Sequence, residues 1–136
     1  VIVDTSALIA VLLEEEGWEM LSASLVDEVA IVPTPVLTEF YLVSAGRYEG
    51  RRLQARELIA ELVENGMQTC DYTERHAIVS CAARDSYGRG NGHGGVLNLL
   101  DLMVYAVARD RDEPLLCTGK DFATTDLVLH PASRPW

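Results

Sequence analysis

Short apolar runs, each cut off by a polar residue and followed by a longer helical pattern, constrain this chain more than any other feature. The first run is Val1, Ile2 and Val3, and it stops at Asp4, Thr5 and Ser6. Comparable runs occupy residues 30–32, 67–72 and 115–118. Between them the apolar residues return at helical spacing, predicting helices over 7–16, 18–29, 36–45 and 52–64, then from Thr73 to Tyr87 and from Asn98 to Arg109. Strands that alternate with helices favour an α/β sandwich around a mainly parallel sheet over an all-helical bundle. A last edge strand is expected at residues 127–129, before Pro131 and Pro135 end regular pairing.

The punctuation supports these boundaries. Thr34 and Pro35 suit a helix start, and Asn65 with Gly66 suits a helix end. Five of the ten glycines fall at residues 88–95, which must be a loop. Asn98 and Asp101 stand at capping-box spacing ahead of an apolar helix.

A chain of 136 residues that is 49% hydrophobic is expected to form a single domain over 1–136. No apolar stretch approaches the roughly 18 residues of a membrane span, so a soluble, cytoplasmic protein is expected. Eleven basic against 21 acidic residues leave a net charge of −10, which disfavours a broad nucleic-acid surface. Cys70, Cys81 and Cys117 form no metal-type pair and are expected to stay reduced.

The acids occur where the predicted elements begin and end. Asp4 follows the first strand, Glu39 lies in the helix after the second, Asp101 opens a helix, and Asp121 follows the last strand, with Asp126 five residues on. Each alone has a plain structural reading, as a cap or as a solvated surface charge. If they converge, their mutual repulsion calls for a cation, and an all-oxygen donor set suits Mg²⁺ or Mn²⁺. Such ions activate water and stabilise the oxygens of a phosphodiester under attack. Ser6, Ser80, Cys81, His76, His93 and His130 form no nucleophile–base motif, and His76 reads as a partly exposed structural histidine. The glycine-rich segment has no phosphate-binding fingerprint, but Arg84, Tyr87, Arg89 and His93 suit contacts to RNA. The same composition also suits a solvated loop.

The ordered acids resemble those of PIN-domain ribonucleases, specifically the VapC-type toxins of toxin–antitoxin systems. The resemblance is carried by Val3-Asp4-Thr5-Ser6-Ala7-Leu8, by Thr38-Glu39, by Leu97-Asn98-Leu99-Leu100-Asp101, and by Leu115 through Asp126, including Gly119-Lys120-Asp121-Phe122. It implies a PIN-like three-layer α/β/α sandwich and a Mg²⁺-dependent endoribonuclease, with Mn²⁺ as a substitute. Asp4, Glu39, Asp101 and Asp121 would be catalytic. Asp4 and Asp101 are the first metal candidates, followed by Glu39, Asp121 and Asp126. Thr5, Ser6, Tyr87 and Arg89 are the candidate substrate contacts, Tyr87-Gly88-Arg89-Gly90 matching a loop of many such toxins. The usual glycine before the third acid is Leu100 here, which would turn into the core if Asp101 faces the cleft. The resemblance further implies a VapB-like antitoxin, DNA contact only through that antitoxin, and a homodimer. A non-catalytic PIN-like module that binds protein or metal is the alternative.

Overall fold

The computed structural model describes residues 1–135. Its centre is set by strands β1 (Ile2–Val3) and β4 (Leu115–Leu116), whose side chains are all fully shielded from solvent. Strands covered on both faces have no wet side, so their sequence is continuously apolar rather than alternating. β1 pairs in parallel with β4 on one side and with β2 (Ile31–Pro33) on the other. β3 (Gln68–Cys70) lies parallel to the outer edge of β2, giving the order β3-β2-β1-β4. The connections between parallel strands carry helices. Six flank the sheet among the described residues: α1 (Thr5–Leu12), α2 (Trp18–Asp27), α3 (Thr34–Ala45), α4 (Arg52–Glu64), α5 (Glu74–Tyr87) and α6 (Leu99–Arg111). The expected sandwich of helices around a parallel sheet is present.

Several boundaries differ from the sequence expectation for local reasons. α1 begins at Thr5 because Asp4 caps it, accepting from the Ser6 amide at 3.0 Å. It ends at Leu12 instead of continuing through residue 16. Successive glutamates at 14–16 would sit at the negative end of a longer helix, and the chain turns away with Glu14 at φ 51° and Gly17 at φ 80°. In α3, Thr34 and Pro35 lie inside the first turn and Pro33 holds the capping position. A proline there lacks only an amide that no helical carbonyl would have accepted.

The edge strand expected at 127–129 reduces to isolated parallel bridges, Leu115 with Leu129 and Thr118 with Arg134. Pro131 interrupts the pairing, and the Ser133 hydroxyl takes over, donating to the Leu115 carbonyl at 2.9 Å and accepting from the Cys117 amide at 3.1 Å. His76, read from the sequence as partly exposed, is 4% exposed. Its Nδ1 accepts from the Thr73 amide at 3.0 Å in a capping box, and its Nε2 faces Asp110 at 3.1 Å. Among the described residues no helix is long and apolar enough to cross a membrane.

Phe40 joins α3 to the core and is completely buried alongside Leu8, Val36 and Val104. Phe40→Ala is expected to cost about 3–5 kcal/mol of stability, read as a lower urea midpoint at unchanged slope. A loss below ~1 kcal/mol would show that this packing does not hold α3 in place.

Candidate active site

Because all four strands run in parallel, their C-terminal ends meet at one edge of the sheet, where loops leave a crevice. β1 delivers Asp4 there, and the turn after β4 delivers Thr118 and then Asp121, the first residue of a 3-10 turn (Asp121–Thr124). Glu39 comes from the second turn of α3, and Asp101 from the first turn of α6. The four carboxylates line one cavity of about 260 Å³, together with Thr5, Ser6, Thr118 and Phe122. The sequence places these acids far apart, and the fold brings them together.

Each acid is held differently. Asp4, 7% exposed, accepts from both the amide and the hydroxyl of Ser6, and the Ser6 oxygen in turn accepts from the Thr118 amide at 3.0 Å. That chain ties the end of β1 to the turn after β4. Thr5 donates its hydroxyl to Glu39 Oε2 at 2.5 Å, which fixes Glu39 against α1. Asp101 completes the capping box expected from sequence: its carboxylate accepts from the Asn98 amide at 2.8 Å, and its own amide donates to Asn98 Oδ1 at 3.0 Å. Asp121 is exposed at the rim.

The electrostatics show a pocket short of positive charge. Burial raises the Asp4 carboxyl above the ordinary carboxylate range, and the Glu39 charge adds to this against the opposing Ser6 hydrogen bonds. Asp101 is pushed up to about 6, mainly by burial and further by Asp4, Asp121 and Glu39, although its bond from Asn98 pulls the other way. Cys117, buried behind the site, is raised to about 12 by burial. Among the described residues no trio of acids, histidines or cysteines is gathered tightly enough to enclose an ion unaided. The donor set nevertheless fits a hard divalent cation. Every donor is oxygen, the carboxylates are under repulsion that a cation relieves, and Mg²⁺ characteristically takes few protein ligands and keeps water for the rest.

Other sequence candidates fall outside this cavity. Asp126 accepts from the Tyr105 hydroxyl at 2.7 Å and pairs with Arg109 at 3.6 Å, so its carboxylate is engaged elsewhere. The Tyr87 ring packs on Tyr105 at 5.4 Å, and neither Tyr87 nor Arg89 is among the lining residues. Leu100 does not enter the core: it is half-buried and lines an apolar groove with Leu42, Val43 and Met103, adjoining the acids through Glu39. Sequence reasoning missed Arg47 and Tyr48, which line the acid cavity from the connection after α3. Their signal in the sequence was weak, because Arg47 and Tyr48 lie just past the end of α3 at Ala45 and belong to no helical face.

Comparison with known proteins agrees with this architecture. A PIN domain matches residues 1–127. Ribonuclease VapC28 of Mycobacterium tuberculosis is 36% identical over 127 residues, spanning 91% of this chain and 92% of the relative. Among solved structures, VapBC2 from Rickettsia felis bound to a DNA fragment from its promoter matches with a TM-score of 0.70 at 15% identity, covering 95% of this chain and 96% of that one. VapC20 of Mycobacterium tuberculosis, described as a sarcin-ricin loop cleaving toxin, matches with a TM-score of 0.67 at 17% identity, covering 93% and 95%.

The Asp101 environment sets a pH dependence. Its native-state proton is held up to about pH 6, against an ordinary value of 3.8, so the native state binds more protons between the two. The stabilising contribution is therefore full below about pH 4 and disappears as pH rises through about 6. In metal-free protein, Asp101→Asn is expected to leave the melting temperature unchanged at pH 4. At pH 8 it should raise stability by about 1 kcal/mol, the figure being reduced for solvent screening. Thermal melts in EDTA at both pH values measure this, and an equal effect at both would remove Asp101 as a strained carboxylate.

Proposed function

The chain belongs to the PIN-domain family, with relatives named VapC ribonucleases, and on that premise we propose that it is a metal-dependent endoribonuclease toxin restrained by a cognate VapB-like antitoxin. The observation that carries this reading is the meeting of Asp4, Glu39, Asp101 and Asp121 in one cavity. The whole chain acts as one nuclease unit in this reading, cytoplasmic and homodimeric, the last two points resting on family resemblance.

Asp4 and Asp101 would hold Mg²⁺, or Mn²⁺ in its place, with Glu39 and Asp121 completing the oxygen set. When bound, the divalent ion offsets the charge of the scissile phosphate and of the oxygens that develop charge during in-line displacement. The chain's own groups do the positioning. Ser6 holds Asp4 Oδ2 through both its amide and its hydroxyl, while Thr118 holds Ser6. Thr5 fixes one Glu39 oxygen in the same way. Asp121, exposed at the rim, can accept the proton of an attacking water. The raised Asp101 carboxyl implies competition between proton and cation, with cation binding favoured above about pH 6.

Inhibition follows from the same charge deficit. A basic antitoxin side chain entering the cavity would satisfy the carboxylates in place of the cation and block the strand. RNA, rather than the antitoxin's DNA, is the substrate in this reading.

Paired RNA-cleavage assays with Mg²⁺ and with EDTA test it. Asp4→Asn is expected to lower the rate by at least about 100-fold while circular dichroism stays native. Ser6→Ala, which removes the hydroxyl that donates to Asp4 and accepts from Thr118 but keeps the Ser6 amide, is expected to cost about 10- to 100-fold. Equal cleavage by wild type and Asp4→Asn, persisting in EDTA, would exclude the mechanism.

A further inference from the structure

The acidic cavity contains one cation among its described lining residues, Arg47, and that cation neutralises none of the acids around it. Among the described residues, arginine ion pairs join Arg75 to Asp110, Arg84 to Asp85, Arg109 to Asp126 and Arg111 to Glu113. Arg47 is in none of them. Its guanidinium lies 5.5 Å from the centre of the Tyr48 ring, close enough for cation–π attraction to seat an exposed side chain at the cavity lip.

The surrounding sequence strengthens the point. Residues 47–56 hold four of the chain's 11 basic residues, Arg47, Arg51, Arg52 and Arg56, against one glutamate. Arg52 donates to the Ala45 carbonyl at 3.3 Å, anchoring it across the connection. Arg52 and Arg56 line a second concavity with Tyr41 and Leu42. That concavity adjoins the apolar groove through Leu42, and the groove adjoins the acids through Glu39 and Val43. Positive charge is thus concentrated on one side of the catalytic cavity in a chain whose net charge is −10.

We propose that Arg47, seated on Tyr48, binds a phosphate of the RNA strand next to the scissile one, and that the strand leaves the cavity over the α3–α4 connection toward Arg52 and Arg56. The inference rests on the ribonuclease reading and adds to it the direction of the strand. A metal-filled carboxylate pocket attracts one phosphate, but the flanking phosphates meet a strongly acidic protein and need a local cation. Arg47 supplies that cation as a planar fork suited to phosphate oxygens. The sequence-derived candidates Tyr87 and Arg89 lie off this path.

The test compares wild type, Arg47→Ala, Arg47→Lys and Arg89→Ala. The probe is a fluorophore-labelled pool of single-stranded and hairpin RNAs, with Mg²⁺ present. Arg47→Ala is expected to raise KM about ten-fold with a smaller change in kcat, Arg47→Lys to recover part of the loss, and Arg89→Ala to stay near wild type. The Mg²⁺ dependence of the melting temperature without RNA should match wild type for all variants. In the Asp4→Asn background, where cleavage is slowed, anisotropy titrations across salt should show the slope of log affinity reduced by about 0.7 on adding Arg47→Ala. Unchanged KM and salt slope in an active enzyme would overturn the proposal and leave the nuclease reading intact. Unchanged KM with weakened inhibition by purified antitoxin would also overturn it, assigning Arg47 to a protein partner. If wild type cleaves no RNA, the nuclease reading fails. The strand contact is then judged by the binding slope alone, and falls if that slope does not change.

Discussion

The buried Asp4 carboxylate is the constraint from which the rest of the site follows. A charge at the end of a fully apolar strand is unfavourable unless it is hydrogen-bonded, and Ser6 supplies that bond from both its amide and its hydroxyl. The same interaction starts α1, because the acceptor for the Ser6 amide is the helix cap. Thr118 completes it from across the sheet, so β1, α1 and the turn after β4 share one polar junction. One carboxylate therefore organises both the local fold and the crevice into which the other acids project.

The remaining acids keep the crevice in electrostatic tension. Glu39 and Asp101 are tethered by Thr5 and Asn98, so they cannot relax away from Asp4; Glu39 adds to the raised carboxyls of both Asp4 and Asp101, and Asp4 adds to that of Asp101. Stability and function oppose each other here: neutralising an acid would ease the metal-free fold while removing a ligand oxygen. A cation resolves the tension, and a basic side chain of an inhibitor resolves it without supplying the chemistry.

What could be read from the sequence was mostly local. The Asn98–Asp101 capping box is an i, i+3 relation, so its geometry follows from the residues alone. The strand-to-acid transition at Asp4 was legible because a β-branched run ends there abruptly. Helix ends were less so: α1 stops at Leu12 because of charge at the helix terminus, which apolar periodicity does not register. Asp126 is close in sequence to Asp121 but does not line the cavity. Its partners, Tyr105 and Arg109, come from α6, and no spacing rule anticipates them. Leu100 misled because adjacent helical residues need not divide between cleft and core, and here Leu100 faces a groove beside the cleft that Asp101 lines. Arg47 was hidden in an apparent connector, its role depending on how α3 lies against α1 and α6.

The central claim is that these acids converge in order to bind a divalent cation at the end of the sheet. Crystals of the protein grown with Mn²⁺ at pH 8, measured for anomalous scattering, test it most directly. The account requires a Mn²⁺ peak inside the cavity, bonded to carboxylate oxygens of Asp4 and Asp101 and lost in Asp4→Asn. A fully occupied ion elsewhere, with this cavity holding only water, would contradict it.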